Sequence, residues 1–489
     1  MLELKTGDLK KDRIGTLVIP VCEDADIHEN RAISALAARA KKMEEFKRGN
    51  DAEVVFFDPP EINASRVICM GIGKKEKLDT EVLRSFAGKA VKACIKKNLE
   101  EIFLAPPSDK KYGTEMGDLL ESLMEGACLG NHIYEPYKEE KKQIPLTKIS
   151  IPVKPQTGAK FAGLAERVEH ICTGTMMARE WVSMPANKKR PEQYADMIAD
   201  AAEKAGLAVK VMDEKQLEEQ KFGSLLSVSR GSEAKARLVI LEYKAKKAKK
   251  HIALVGKGVT FDSGGLNLKV GEHISGMKID MAGSAAVAAA MIASAKTKPG
   301  VNLTAVIPIV ENMPSGTASR PGDVVTSYDG KTVEIGNTDA EGRLILIDAL
   351  SYAIRNCKPD AVIDLATLTG ACAVALGERI AGVFSLDSQL AEAIVASGKK
   401  THERCWQMPM PEDYKEFLKS KTADICNMSS SKVGGAITAS LFLSAFVKDT
   451  RWAHIDIAGP VWTEKGTAYC NPGGTGFGVR LLCDVVEKI

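Results

Sequence analysis

The stretch NTDAEGRLILIDALSYAI, Asn337–Ile354, runs from a charged segment directly into an apolar one. Apolar residues recur at spacings of three and four from Leu344 to Ile354, which predicts a helix with a buried face. The charged part carries Asp339, Glu341 and Arg343 at alternate positions immediately before that helix. Burying charge is costly unless the charge is paired or bound to a cation, so this junction needs an explanation.

Helix capping is one explanation of the charged segment. Thr338 and Glu341 have the spacing of a capping box, and acidic side chains are favourable at a helix N-terminus. Capping requires neither Asp339 nor Arg343, so a functional site is the second explanation. On this segment alone both explanations stay open, because short motifs often match by chance.

Strand-like and helix-like segments alternate along the rest of the chain. In the C-terminal part, apolar runs predict strands at residues 207–213, 236–244, 251–259, 302–310, 360–368 and 452–460. In the N-terminal part, the patterns predict strands at 14–21, 52–58 and 64–73 and helices at 32–46 and 81–98. Asp329-Gly330 separates two short β-like runs and predicts a hairpin turn. Near-continuous apolar strands are typical of a sheet with both faces covered.

These patterns predict an α/β protein with two domains. We expect a smaller N-terminal α/β domain over residues 1–157, and one long connecting helix within residues 158–185. A larger C-terminal α/β domain, with a mixed central sheet covered by helices, follows over residues 186–489. The polar segment 134–148 is predicted to be an edge hairpin or a loop.

Composition narrows the class of protein. The 489 residues include 67 basic and 64 acidic side chains, and this near-neutral balance favours neither nucleic acid nor an acidic membrane as a partner. The first residues carry charges where a signal peptide needs an apolar region, and the apolar stretch Ala282–Ala295 is shorter than the ~18 residues of a membrane span. The 11 cysteines form no C-x-x-C motif, which is typical of reduced thiols. We therefore expect a soluble cytoplasmic enzyme without membrane contact.

A second charged cluster lies in VGKGVTFDSGGLNLKVGEHISGMKIDMAG, Val255–Gly283. It carries four candidate residues, Lys257, Asp262, Lys269 and Asp280. Lys257 stands at the end of an apolar strand, Asp262 precedes Ser263-Gly264-Gly265, and Asp280 stands just ahead of an alanine-rich helix. Taken singly, these residues have ordinary explanations as turn or cap residues. Together with Asp339 and Glu341, the two aspartates would bring four carboxylates to one place, where they would repel each other unless divalent cations neutralised them.

The residue types restrict the kind of metal site. The chain has seven histidines and no H-E-x-x-H motif, so a site here would be rich in oxygen ligands, which suit Mn²⁺, Mg²⁺ or Zn²⁺. Two cations that share carboxylates can activate a water molecule near neutral pH. By contrast, Gly330-Lys331-Thr332 lacks the preceding glycine of a phosphate-binding loop, because residue 325 is Val.

A run of longer blocks resembles the leucyl aminopeptidase family, the cytosolic di-metal aminopeptidases. The blocks lie in the family's order within residues 160–489 and read VGKGVTFDSGGLNLK, MKIDMAG, ENMPSGTASRPGDVV, NTDAEGRL, DLATLTGAC, GGAITASLFL and HIDIAGP. The first ~160 residues are compatible with the macro-like N-terminal domain of that family. Several blocks in order are far more specific than one motif.

The resemblance implies a ligand set for two metal ions: Lys257, Asp262, Asp280, Asp339 and Glu341. Asp262 and Glu341 would bridge the ions, and Lys257 would ligate as the neutral amine. The ions would be Mn²⁺ or Zn²⁺, with Mg²⁺ as a further candidate. In the family, a water between the ions attacks the scissile carbonyl and the substrate's free amine binds a metal.

The resemblance also implies roles for residues that bind no metal. Lys269 would stabilise the oxyanion, and Arg343 would hold a bicarbonate ion that accepts the proton of the water. The substrate side chain would lie in a pocket formed by Met277, Thr367, Gly370, Ala458 and Val461, whose small or apolar character fits Leu-like residues. Peptides would be the substrates, and the chain would form a homohexamer.

Two other functions stay open. The first is a binding role, because some relatives of the family act as DNA-binding regulators and macro-like domains elsewhere bind ADP-ribose. The net charge of +3 argues against DNA, and a salt-dependent gel shift would decide. The second is a different di-metal hydrolase such as a phosphoesterase, which a comparison of aryl-phosphate and aminoacyl-anilide substrates would separate from a peptidase.

Overall fold

The computed structural model describes residues 1–48, 51–140 and 143–489, and the chain divides into two compact units. Unit 1 contains residues 1–172 and 465–472, and unit 2 contains residues 173–464 and 473–489. The boundary between residues 172 and 173 falls inside helix α6, Leu164–Ser183. The domain limits proposed from the sequence stay a prediction.

Unit 1 is built on a six-stranded sheet of order β1-β6-β5-β2-β4-β3, in which only β3 runs antiparallel to its neighbour. Its strands are β1 Leu2–Thr6, β2 Ile14–Val21, β3 Glu53–Phe57, β4 Ala64–Gly71, β5 Glu101–Leu104 and β6 Lys148–Val153. Its helices, before α6, are α1 Arg31–Ala40, α2 Thr80–Lys96, α3 Asp109–Tyr112, α4 Met116–Gly130 and α5 Pro155–Lys160. The three strands predicted in this part of the chain are confirmed.

Two helix predictions for the N-terminal part need correction. The connecting segment is not one helix, because α5 ends at Lys160 and α6 begins at Leu164. Gly163 lies in this break and Gly158 in the last turn of α5, and glycine is a weak helix former. The helix predicted over residues 32–46 ends at Ala40, and a separate 3₁₀ turn follows at Glu44–Arg48. The segment 134–148 forms a loop up to β6, although residues 141 and 142 lie outside the described part.

Unit 2 contains a nine-stranded mixed sheet of order β16-β15-β18-β14-β9-β11-β8-β7, with β10 beside β11. The strands of unit 2 are β7 Ala208–Met212, β8 Arg237–Tyr243, β9 His251–Gly256, β10 Gly258–Asp262, β11 Asn302–Asn312, β12 Val324–Thr326, β13 Thr332–Glu334, β14 Ala361–Ala366, β15 Ala381–Phe384, β16 Cys405–Gln407, β17 Ile425–Cys426, β18 Trp452–Asp456, β19 Trp462–Thr463 and β20 Gly473–Gly474. Its helices after α6 are α7 Pro191–Ala205, α8 Glu214–Glu219, α9 Gly223–Ser229, α10 Ala282–Thr297, α11 Glu341–Tyr352, α12 Gly370–Leu376, α13 Ser388–Thr401, α14 Gly435–Ser444 and α15 Val479–Val485. The predicted fold class is confirmed, and β12 and β13 form the hairpin predicted at Asp329-Gly330.

The centre of this sheet brings several strand ends to one edge. Strands β9, β14 and β18 are parallel neighbours, so their carboxyl ends lie side by side. Helix α10 packs closely behind them: a Cβ atom at Gly283 would lie 2.2 Å from the Leu365 carbonyl oxygen. The segment Gly271–Thr297, which includes α10, is long and apolar enough to cross a membrane, but 78% of its most apolar window is buried in the fold. It is therefore a core helix.

The helix predicted after the charged segment is α11, and all twelve of its residues are buried. Its N-cap residue is Ala340, and no side chain caps it. The Thr338 hydroxyl instead donates to the Gly264 carbonyl oxygen at 2.7 Å and accepts from the Asn267 amide at 2.9 Å. The capping-box interpretation is therefore wrong, because the Thr338 hydroxyl joins two loops. Glu341 does lie in the first turn of α11, where an acidic side chain is favourable.

Asp348 anchors α11 in the core, so its removal is expected to destabilise unit 2. Its side chain is fully buried and accepts hydrogen bonds from the Leu225 amide at 2.9 Å and the Tyr328 amide at 2.7 Å. Asp348→Ala would leave the buried Leu225 amide and the half-buried Tyr328 amide unpaired, and we expect the free energy of unfolding to fall by about 3 kcal/mol. Urea denaturation would measure the change, with Glu392→Ala on the exposed side of α13 as a control expected to stay within about 0.5 kcal/mol.

The loss of stability in Asp348→Ala should depend on pH. Burial raises the pKa of Asp348 to about 7, above the ordinary value of an unfolded aspartate. Its contribution to stability is therefore fully present below the unfolded pKa and is lost as the pH rises through 7. We expect Asp348→Ala to lose more stability at pH 5 than at pH 8. An equal loss at both pH values, or a loss below about 1 kcal/mol, would contradict this account.

Candidate metal centre

Four separate parts of unit 2 deliver charged side chains to the edge where the parallel strands end. Lys257 follows β9, Asp262 ends β10, Asp280 precedes α10, and Asp339 and Glu341 stand at the start of α11. Four of these side chains are buried, and the fifth, Asp339, is about one third exposed. Carboxylate oxygens of Asp262, Asp280 and Glu341 lie within 4.8 Å of one another. The sequence clusters at 255–283 and 337–343 thus form one site.

Lys257 lies between two of these carboxylates. Its Nζ is 2.8 Å from Asp280 Oδ1 and 2.7 Å from Glu341 Oε1, and it donates to the Thr367 carbonyl oxygen at 2.8 Å. Burial by itself lowers the pKa of Lys257, but the nearby carboxylates, led by Asp280 and Glu341, outweigh it and raise the pKa. A Cβ atom at Gly342 would lie 2.7 Å from this Nζ. The glycine after Glu341 therefore makes room for the lysine, a requirement that sequence reasoning missed.

Lys269 lies on the other side of the cluster. Its Nζ is 2.8 Å from Asp262 Oδ2 and 2.6 Å from Asp339 Oδ1, and 15% of its side chain is exposed. Burial lowers the pKa of Lys269, but its contacts with the two aspartates outweigh this and raise the pKa. The side chain is thus a cation that contacts the cluster and also faces solvent.

The carboxylates carry more negative charge than the two lysines balance. Burial, followed by repulsion from Glu341, raises the pKa of Asp262, and burial also raises the pKa of Asp280 and Asp339. Asp280 Oδ2 is buried without a hydrogen-bond partner among the described residues. An unpaired buried carboxylate oxygen is costly, and a cation would satisfy it. The donor set of carboxylates and one amine fits divalent cations that prefer oxygen ligands.

Asp262 is oriented by a residue that sequence reasoning missed. Asn312, at the end of β11, donates from Nδ2 to Asp262 Oδ1 at 2.8 Å and to the Thr338 carbonyl oxygen at 3.1 Å. The Gly264 amide also donates to Asp262 Oδ1, from a glycine with φ of 89°. These bonds fix one oxygen of Asp262 and leave Oδ2 on the side of Lys269. A polar residue ending the apolar run of β11 was the available signal.

Arg343 lies in the first turn of α11 and is buried. Its Nη1 donates to the Asn427 carbonyl oxygen at 2.7 Å, whereas its Nε has no hydrogen-bond partner among the described residues. Burial lowers the pKa of Arg343 to about 10, and Glu341 and Asp456 act in the opposite direction. The guanidinium therefore keeps an unused donor beside the cluster.

Asn427 also shapes the charged segment, and sequence reasoning missed it. Its Oδ1 accepts from the Gly336 amide at 2.8 Å, and its Nδ2 donates to the Asn337 carbonyl oxygen at 2.9 Å. The side chain is fully buried. It holds the turn that presents Asp339 and Glu341, and nothing in the sequence around residue 427 links it to a segment 90 residues away.

An open pocket of about 500 Å³ lies over the cluster. Ten of the twelve predicted site residues line it, namely Lys257, Asp262, Lys269, Met277, Asp280, Asp339, Glu341, Thr367, Gly370 and Ala458. Arg343 and Val461 do not line it, and Val461 is buried with 2% exposure. Leu268, Val270 and His273 line the pocket as well, although sequence reasoning did not select them. A lining that combines charged groups with small or apolar groups suits a molecule with a polar and an apolar end.

Comparison with known proteins gives matches along most of the chain. Residues 176–483 match the model of the cytosol aminopeptidase family catalytic domain, and residues 20–141 match that of the family's N-terminal domain. A probable cytosol aminopeptidase of Syntrophotalea carbinolica is 43% identical, covering 90% of this chain and 89% of that protein. A second probable cytosol aminopeptidase, from Aquifex aeolicus, is 39% identical, and the match covers 94% of this chain and 92% of that protein.

Solved structures agree with these matches. The bottromycin maturation enzyme BotP in complex with Mn superposes with a TM-score of 0.85 at 32% identity, covering 96% of this chain and 98% of that one. The similarity therefore extends over both units and includes a relative that binds a metal ion.

Proposed function

The chain belongs to the cytosol aminopeptidase family, whose members are metallo-exopeptidases, and we propose that it releases Leu-like and other apolar N-terminal residues from peptides by a two-metal mechanism. The observation that carries the proposal is the buried cluster of Asp262, Asp280 and Glu341 beside Lys257, open to one pocket. A cluster of this kind binds cations, and the pocket supplies space for the end of a peptide.

The proposed cofactors are two divalent cations, Mn²⁺ or Zn²⁺, with Mg²⁺ as a further candidate. Lys257, Asp262, Asp280, Asp339 and Glu341 would hold them. When bound, the cations would lower the pKa of a water molecule and supply the nucleophile. Lys257 ligates only as the neutral amine, and a nearby dication favours that form by repelling the ammonium.

The remaining steps are assigned to two cationic side chains. Lys269 faces the pocket, so its ammonium would stabilise negative charge on the carbonyl oxygen of the scissile bond. Arg343 would hold a bicarbonate ion, and its unpartnered Nε supports this role because a buried donor needs an acceptor. The bicarbonate would take the proton from the attacking water.

The pocket supports the proposed preference for apolar residues. Met277, Thr367, Gly370 and Ala458 line it beside the carboxylate cluster, so a side chain could enter while the amine faced the charged groups. Val461 is proposed to contribute to the side-chain pocket from behind the residues that line it. We further propose that the protein is a cytoplasmic homohexamer acting on peptides, and this proposal rests on the family resemblance.

Hydrolysis of leucine-p-nitroanilide tests the function. Metal-stripped protein should be inactive, and Mn²⁺ or Zn²⁺ should restore activity. Asp339→Ala is expected to lower kcat/KM by at least about 100-fold. Substitution of a residue that only orients a metal ligand already lowers metal affinity or activity by about 10- to 100-fold, and Asp339 is a proposed ligand itself. Asp449→Ala, at an exposed position of the same unit, serves as the control and should keep full activity. If the wild type binds metal but releases no amino acid from any aminoacyl anilide, the peptidase function is wrong.

A further inference from the structure

One buried carboxylate, Asp456, bonds to two of the loops that carry the predicted side-chain pocket. It is the last residue of β18 and is 1% exposed. Its Oδ1 accepts from the Leu368 amide at 3.2 Å and from the Ala458 amide at 3.1 Å. Its Oδ2 accepts from the Thr369 hydroxyl at 2.7 Å. The loop after β14 and the loop after β18 are thus fixed to the same side chain.

The bond to Thr369 also fixes the start of helix α12. Thr369 is the N-cap residue of α12, and its hydroxyl oxygen accepts from the Cys372 amide at 3.1 Å while its proton goes to Asp456. Gly370 and Ala373, in the first turns of this helix, line the pocket. A shift of Asp456 would therefore move one wall of the pocket.

The other end of the same loop is fixed to the proposed metal centre. The Thr367 hydroxyl donates to Asp280 Oδ1 at 2.7 Å, and the Thr367 carbonyl oxygen accepts from Lys257 Nζ at 2.8 Å. Residues 367–370 are thus held at one end by proposed metal ligands and at the other end by Asp456. The loop therefore connects the pocket wall directly to the proposed metal centre.

We propose that Asp456 is a positioning residue that sets the distance between the side-chain pocket and the metal centre, and that it thereby determines the preference for large apolar N-terminal residues. The inference rests on the proposed function and deepens it. A large side chain reaches the wall and loses contacts when the wall moves, whereas a small one does not. Small displacements of a bound substrate also lower the rate strongly.

The test compares leucine and alanine p-nitroanilides in the Mn²⁺-loaded full-length protein. We expect Asp456→Ala to lower the ratio of kcat/KM for leucine over alanine on the order of tenfold, mainly by raising KM for leucine. Asp456→Asn keeps one acceptor oxygen and should lower the ratio less. Thr369→Val removes one of the three bonds and should shift the ratio in the same direction, which keeps the test decisive if Asp456→Ala does not fold.

Asp348→Asn is the matched control, because Asp348 is also a buried aspartate that accepts backbone hydrogen bonds, and it lies outside the pocket. It should lower stability and leave the ratio unchanged. A ratio within about twofold of wild type in the folded Asp456 and Thr369 variants would overturn the inference, as would an equal shift in Asp348→Asn.

Hydrogen exchange separates failure of this inference from failure of the proposed function. The amides of Leu368, Cys372 and Ala458 should exchange faster in Asp456→Asn than in wild type and Asp348→Asn. If the wild type hydrolyses no aminoacyl anilide, the proposed function and the selectivity role both fall, and faster exchange would still show that Asp456 positions the loops. Unchanged exchange in an active enzyme would overturn the positioning role alone.

Discussion

Glu341→Gln is expected to remove nearly all peptidase activity and to weaken the binding of both cations. Glu341 is 2% exposed, and its Oε1 lies 2.7 Å from Lys257 Nζ within the cluster of three carboxylates. The proposed role as a bridge means that one substitution weakens two metal sites. Loss of a group that only orients a metal ligand lowers metal affinity or activity by about 10- to 100-fold. Because Glu341→Gln alters a ligand proposed to serve both sites, we expect kcat/KM to fall by about 1,000-fold or more.

The substitution keeps the size of the side chain and removes its charge, so folding should be largely preserved. Activity on leucine-p-nitroanilide and Mn²⁺ binding by titration calorimetry would both be measured. Glu392→Gln, on the exposed face of α13, is the matched control and should leave both quantities unchanged. A variant that keeps activity within tenfold of wild type, with two cations bound at unchanged affinity, would show that Glu341 is not a bridge.

The strands of both units were predictable because their signal is local. The run predicted over residues 14–21 is β2, and the hairpin at Asp329-Gly330 follows from two adjacent residues. Apolar runs and turn dipeptides act over a few residues and are therefore legible in one sequence. The break between α5 and α6 was missed because apolar periodicity continues across residues 161–163.

The charged residues of the site were also visible in the sequence, but nothing in the sequence linked them to the residues that orient them. Asn312 bonds to Asp262 across 50 residues, and Asn427 bonds to Arg343 across 84. No periodicity or spacing rule relates positions so far apart, and asparagine is common in loops for other reasons. The capping interpretation of Thr338 failed for the same reason, since its partners Gly264 and Asn267 lie more than 70 residues away.

Lys269→Met is expected to lower kcat strongly while cation binding is retained. Lys269 contacts Asp262 and Asp339 at 2.8 and 2.6 Å and also faces the pocket, but it is a cation beside the cluster and not a proposed ligand. Loss of one group that stabilises an oxyanion costs about 100- to 1,000-fold in kcat, and we expect a loss in that range with little change in KM. Activity and Mn²⁺ affinity would be measured together.

The combination of the two measurements distinguishes Lys269 from the metal ligands. Without the ammonium, Asp262 and Asp339 lose a competing positive charge, so the affinity for Mn²⁺ should stay the same or rise. Lys269→Arg keeps the charge and should recover part of the rate, and Lys296→Met, on the exposed end of α10, should match wild type. If Lys269→Met lost the cations along with the rate, the lysine would act by holding the ligands in place, and the oxyanion would need another donor.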